Sequence, residues 1–324
     1  MAGTAMFLMS ILFIILAVTA PLMVKGVHVA TPDMGDIHTY LPKFDLNYFT
    51  TISMLVFAVG GAEKISPYVN NTKHAAKEFP TGMLVLAGMV AFCALLGSFG
   101  MGMLFNSNQI PTDLMANGPY TAFAMLGSYY HVGNIFVILY AIANALASIS
   151  ALAFSIDAPL KMLLSDADPH FIPKKLSHLN KKGTPINGYW LTGILVSLLI
   201  IVPALGIGNM NELYKWLLNL NSVVMPLRYL WVFLAYYLLN KHLEKFQAEY
   251  MFVKNKHVGM IIGGWCFLFT ALACLLGMLP KINYLNDPGT WWFQMGLNII
   301  TPVIFLALGL ILPFIARRDE ARLL

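Results

Sequence analysis

Apolar residues in this chain run on for longer than any soluble core requires. Eight stretches are each long and apolar enough to cross a bilayer, at about 4–24, 49–69, 81–105, 132–159, 188–207, 213–239, 258–279 and 292–316. A hydrocarbon layer of roughly 30 Å takes about 20 helical residues. Only a helix or a closed barrel satisfies its own backbone in lipid, and runs of this length select the helix. The sequence therefore predicts an all-α membrane protein of about eight transmembrane helices. Composition agrees, with 11% charged residues against about 25% in soluble domains. The N-terminal run lacks the basic stretch of a signal peptide and is followed by further spans, so it reads as a helix that stays.

A net charge of +5 and a pI near 9.0 do not point to nucleic acid, because the basic residues fall in short blocks between apolar runs. There they set orientation. One set of alternate connections, with the C-terminal tail, holds Lys73, Lys77, Lys161, Lys174, Lys175, Lys181, Lys182, Lys241, Lys245, Lys254, Lys256, Arg317, Arg318 and Arg322. The other set holds Lys25, Lys43 and Lys281. This split predicts a cytoplasmic C-terminus and, with eight spans, a cytoplasmic N-terminus. Trp190, Trp216, Trp231, Trp291 and Trp292 stand at or near expected helix ends, whereas Trp265 is deeper and is expected to pack between helices.

The most informative run is the second. Near its middle it carries Gly60 and Gly61, then Glu63, Lys64, Ser66 and Pro67. Backbone freed at such a point must face protein or water. A carboxylate at membrane depth is costly and placed for a reason. The reading is a broken helix lining a cavity, whose freed carbonyls and amides can hold a ligand. The competing reading is a glycine pair used for close helix packing. Lys64 is expected either to neutralise Glu63 or to extend toward the cytoplasm.

The fourth run is rich in small residues from Ala141 to Ala153, which suits close packing. It also holds Asn144, Ser148 and Ser155 as hydrogen-bonding candidates, and Asp157 as a helix-end partner for Lys161. The sixth holds Asn219, Asn221 and, about midway, Arg228. That arginine is either functional or paired with a carboxylate inside the bundle. Pro203, Pro226, Pro302 and Pro313 are expected to kink their helices. Cys93, Cys266 and Cys274 lie in apolar runs and read as packing residues. The eight histidines show no metal-ligand spacing, and no phosphate-binding, GxSxG or HExxH motif occurs. Neither an enzyme, a metal nor a cofactor is expected.

Residues 57–83, FAVGGAEKISPYVNNTKHAAKEFPTGM, resemble the sixth transmembrane segment of permeases of the amino acid–polyamine–organocation superfamily. Residues 158–188 resemble the linker after that family's eighth helix, with Asn180, Gly183, Thr184 and Pro185 matching. Together they are similar to the glutamate/GABA antiporter branch. The eight spans resemble helices five to twelve of a twelve-helix, inverted-repeat fold of the leucine-transporter type, so 1–324 is expected to be one permease domain lacking its first four helices.

The resemblance implies secondary active transport of amino acids across the cell membrane by alternating access, with antiport as the expected mode. The implied substrate-binding residues are Phe57, Ala58, Val59, Gly60, Gly61 and Glu63 on the broken helix, with Phe154 on the eighth. The first-helix amides that hold the substrate carboxylate in relatives have no counterpart. A lysine used for proton coupling in some relatives is absent from span 4–24. The implied partners are an amino acid, the lipid bilayer, and either the missing N-terminal helices or a second protomer, with no role for nucleic acid. The alternatives are a non-transporting membrane sensor or assembly partner and, less favoured for want of a filter-like loop, an ion channel.

Overall fold

The computed structural model describes residues 2–111, 113–164, 171–181, 184–206, 210–245, 249–280, 284–285 and 288–321. Of the residues singled out above, Lys182, Gly183, Lys281 and Arg322, and of the eight histidines His170, lie outside them. Every regular element among the described residues is helical. The α-helices are α1 (Ala2–Met23), α2 (Leu46–Val59), α3 (Ala75–Leu104), α4 (Leu114–Tyr129), α5 (Ile135–Leu164), α6 (Lys174–Ser177), α7 (Ile186–Gly206), α8 (Met210–Lys241), α9 (Lys256–Gly277) and α10 (Pro288–Ala321). Short 3-10 segments occupy Ile37–Tyr40, Ala62–Asn71 and Leu243–Lys245.

Six helices are long and apolar enough to cross a membrane: α1, α3, α5, α8 from Tyr214, α9, and α10 from Trp291 to Arg318. The apolar segment described in α7, Ile186–Leu198, is shorter, and α2 has only 14 residues. At 1.5 Å per residue α2 reaches about 21 Å, short of a hydrocarbon core. Large apolar side chains stay exposed along the spans, among them Leu84, Val85 and Leu95 of α3 and Leu306, Leu310 and Phe314 of α10. Such surfaces suit lipid and would aggregate in water. Trp265 corrects its expectation. It is 70% exposed and points away from its neighbours, because the packed face of α9 is the one bearing its glycines.

The chain divides into two compact units. The first comprises Met1–Leu41, Gly82–Pro159 and Asn209–Asn211. Its core joins Ala17, Ala20, Leu104, Ala122, Phe123, Leu126 and Tyr140. Phe123 stacks on Tyr140 at 5.0 Å and meets Phe13 edge-on at 5.8 Å. Helix α4, which supplies the centre of this core, falls between the expected spans 81–105 and 132–159. The loop after α1 finishes α3. Ala30 and Thr31 donate their amides to the Met103 and Gly102 carbonyls, and the Thr31 hydroxyl donates to Phe105 while accepting from the Ser107 amide. A helix end otherwise leaves these carbonyls unpaired.

The second unit comprises Pro42–Thr81, Leu160–Gly208 and Glu212–Leu324. Its helix starts are legible locally. The Asp45 side chain accepts from the Tyr48 amide, and Asn255 accepts from the amides of His257 and Val258, as N-cap residues do. Helices α2, α8 and α9 approach closely through glycine. A Cβ on Gly277 would collide with Ser53 of α2, one on Gly259 with Asn240 of α8, and one on Gly263 would sit 3.0 Å from Tyr236. Gly259 and Gly263 are four apart, so they stack on one helix face and admit a neighbouring backbone. The linker motif forms a clasp. Asn180 donates its amide to the Thr184 carbonyl at 3.0 Å, and its side chain accepts the Thr184 amide at 2.9 Å. It delivers the chain to the start of α7.

Candidate functional site

Helix α2 stops at Val59. Gly60 is extended, with φ −82° and ψ 178°, and Gly61 is left-handed, with φ 109°. A 3-10 segment then runs from Ala62 to Asn71 with Pro67 inside it. The second apolar run is thus a broken helix, with its joint at the two glycines.

The two glycines are needed for different reasons. Gly61 occupies a backbone region that side chains disfavour. Gly60 does not, but a Cβ there would strike the Tyr229 hydroxyl and lie 2.9 Å from its ring carbon Cε2. The break also frees backbone polar groups. The Gly60 amide closes onto the Phe57 carbonyl at 3.2 Å, and the Lys64 amide onto Gly61 at 3.2 Å. Among the described residues no hydrogen bond engages the Ala58, Val59 or Gly60 carbonyls, nor the Ala62 and Glu63 amides. Acceptors and donors therefore lie side by side.

Helix α8 supplies the partners. Tyr229 Oη accepts the Gly61 amide at 2.6 Å and donates to Glu63 Oε2 at 2.9 Å. Arg228 Nη2 lies 3.4 Å from the other oxygen, Glu63 Oε1. Both carboxylate oxygens are thereby held by neighbouring residues of one helix. Arg228 stays 49% exposed while Glu63 is 23% exposed. Pro226, fully buried two residues before Arg228, removes an amide from the α8 ladder. Lys161 at the end of α5 places Nζ 4.6 Å from the Tyr68 ring centre, a cation–π contact that holds the 3-10 half of the broken run.

Of the residues singled out in the sequence, Phe57, Ala58, Val59, Gly60, Gly61 and Glu63 come together at the joint, all in the second unit. Phe154 sits on α5 in the first unit. Arg228, expected to be either functional or paired with a carboxylate, is a described ion-pair partner of Glu63. Asn144 donates to the Tyr120 hydroxyl at 2.9 Å, and Asn219 to Asn298 at 3.4 Å, so both serve packing contacts. Tyr229 was missed. Nothing marks it in the sequence, since an aromatic residue beside Arg228 in an apolar helix reads as filler. A separate cavity of about 420 Å³ in the first unit is lined by side chains such as Met6, Phe13, Met101 and Phe123, and bears no formal charge.

The six apolar helices define a multi-pass membrane protein, and the second apolar run carries a charged break at Gly60 and Gly61. The family model for amino acid permeases matches residues 2–314, and the chain belongs to that family. It is 62% identical over 322 residues to the aspartate/glutamate permease AcaP of Lactococcus lactis subsp. cremoris, covering 99% of this chain and 66% of that protein. It is 23% identical to the inner membrane transporter YjeM of Salmonella typhimurium, covering 94% of this chain and 64% of that protein. It is 22% identical to the glutamate/gamma-aminobutyrate antiporter of Lactococcus lactis subsp. lactis, covering 86% and 54%. The chain thus spans just under two thirds of the length of the first of these relatives, and less of the others. No solved structure matches it.

Proposed function

We propose that the chain forms the main part of a secondary transporter that moves amino acids across the cell membrane by alternating access, in exchange for another amino acid. It is a carrier and not an enzyme. The observation that carries the reading is the joint at Gly60 and Gly61, where unengaged carbonyls and amides sit within an apolar crossing beside a held carboxylate. The carbonyls of Ala58, Val59 and Gly60 suit a substrate ammonium, as unwound helix carbonyls do in carriers. Phe57, at the joint, is assigned to cover the substrate. Acidic amino acids are the favoured cargo, in keeping with the name of the relative at 62% identity. Exchange is in keeping with the antiporter among the relatives.

The remaining spans complete one permease domain of eight crossings, counting Leu46–Asn71 as a single broken crossing and α7 as a full one. The excess of basic residues in alternate connections supports a cytoplasmic C-terminus. Helices beyond this chain, or a second protomer, complete the site. No observation favours a non-transporting role.

Uptake and counterflow of radiolabelled amino acids by the full-length permease in proteoliposomes test the reading. Gly60→Leu and Glu63→Ala are expected to abolish uptake while membrane levels stay normal. Wild-type uptake rates in both variants would remove the joint from the transport path.

A further inference from the structure

Resting on the transport reading above, we infer that Arg228 is the specificity-determining residue, which takes the side-chain carboxylate of an acidic amino acid. Its position is the first reason. Arg228 lies about midway along a helix long and apolar enough to cross the membrane. A cation at that depth is costly unless it serves a pathway or a partner.

The partner present does not use what Arg228 offers. A guanidinium carries five donors in a planar fork and binds carboxylate best through two parallel bonds. Here one nitrogen meets one carboxylate oxygen at 3.4 Å, and the side chain stays 49% exposed. Glu63 does not depend on that contact alone, because Tyr229 holds its other oxygen at 2.9 Å. The pair is thus asymmetric, with Glu63 anchored twice and Arg228 anchored once. A ligand carboxylate can take the open side of the fork without leaving Glu63 bare.

Charge selects the class of ligand. Every amino acid brings an ammonium and a carboxylate that balance each other, and the freed carbonyls and amides of the joint match those groups. Glu63 and Arg228 balance as a pair, and Lys64 adds a further positive charge on the broken run. A dicarboxylic amino acid brings one extra negative charge, which a low-dielectric site accepts only beside a cation. Arg228 is a half-exposed cation at the joint, on the helix that faces it. Between substrates Glu63 keeps it compensated.

The test is the ratio of glutamate to glutamine uptake by the full-length permease in proteoliposomes, with aspartate and asparagine as a second pair. Arg228→Gln is expected to raise the KM for the acids relative to that for the amides by about tenfold or more, the worth of a charge-assisted hydrogen bond. Arg228→Lys keeps the charge but loses the fork, and is expected to shift the ratio the same way by less. It decides the matter alone if Arg228→Gln does not reach the membrane. An unchanged acid-to-amide ratio in either inserted variant overturns the inference, as does an equal loss of both substrates, which would make Arg228 a mere partner for Glu63. Absence of any amino acid uptake by the wild-type protein would instead sink the transport reading itself.

Discussion

A single hydroxyl carries much of the joint. Tyr229 both receives the Gly61 amide and supports the Glu63 carboxylate. Replacing it by phenylalanine keeps the ring that crowds Gly60 but leaves the amide without a partner, which costs about 1–3 kcal/mol. Tyr229→Phe is expected to lower the melting temperature in detergent and to weaken substrate affinity several-fold. Unchanged values for both would show that the hydroxyl is incidental. At this scale the sequence was half legible. Two adjacent glycines and a carboxylate announce themselves inside an apolar run, because each is costly there. Tyr229 does not, because its role depends on a contact across 168 positions that no local pattern records. Arg228 was visible as a charge but silent about its partner for the same reason.

Among elements, the long apolar helices were legible because lipid demands length and apolarity at every turn. Helix α4 was not. Its sequence, LMANGPYTAFAMLGSY, mixes glycine, proline and asparagine with apolar residues and is too short for a span. Its helical state is fixed by burial, since Phe123, Ala122 and Leu126 fill the centre of the first unit. Phe123→Ala is therefore expected to destabilise that unit by about 3 kcal/mol or more, read as a lower melting temperature. A shift no larger than that of an exposed control such as Leu95→Ala would contradict the packing described. The glycines of α9 show the opposite case. The spacing of Gly259 and Gly263 is a local signal, and the structure places it against α8. Trp265 is exposed because depth in a span does not imply burial: a helix in lipid exposes apolar side chains at every depth.

For the whole molecule, the uneven placement of basic residues makes a prediction that no contact inside the chain can make. Thr39→Cys, in the connection poor in lysine, is expected to react with a membrane-impermeant maleimide on intact cells. Lys175→Cys is expected to react only after permeabilisation. Cys93 and Cys266 are only partly exposed and Cys274 is buried, so the native background is low. Labelling of both positions from outside would reverse or refute the proposed sidedness.

The broken crossing also has a mechanical reading. Leu46–Val59 is fastened along α9 through Ser53 and Gly277, whereas Ala62–Asn71 is pinned near its middle by Lys161 on Tyr68. The latter half is a lever about 20 Å long at the 3-10 rise, and its pivot is two residues with four torsions. A turn of about 10° at that pivot would sweep the lever's far end by ~3 Å, while the fastened half stays still. The smallest side chains in the crossing thus sit where a small rotation has the greatest reach.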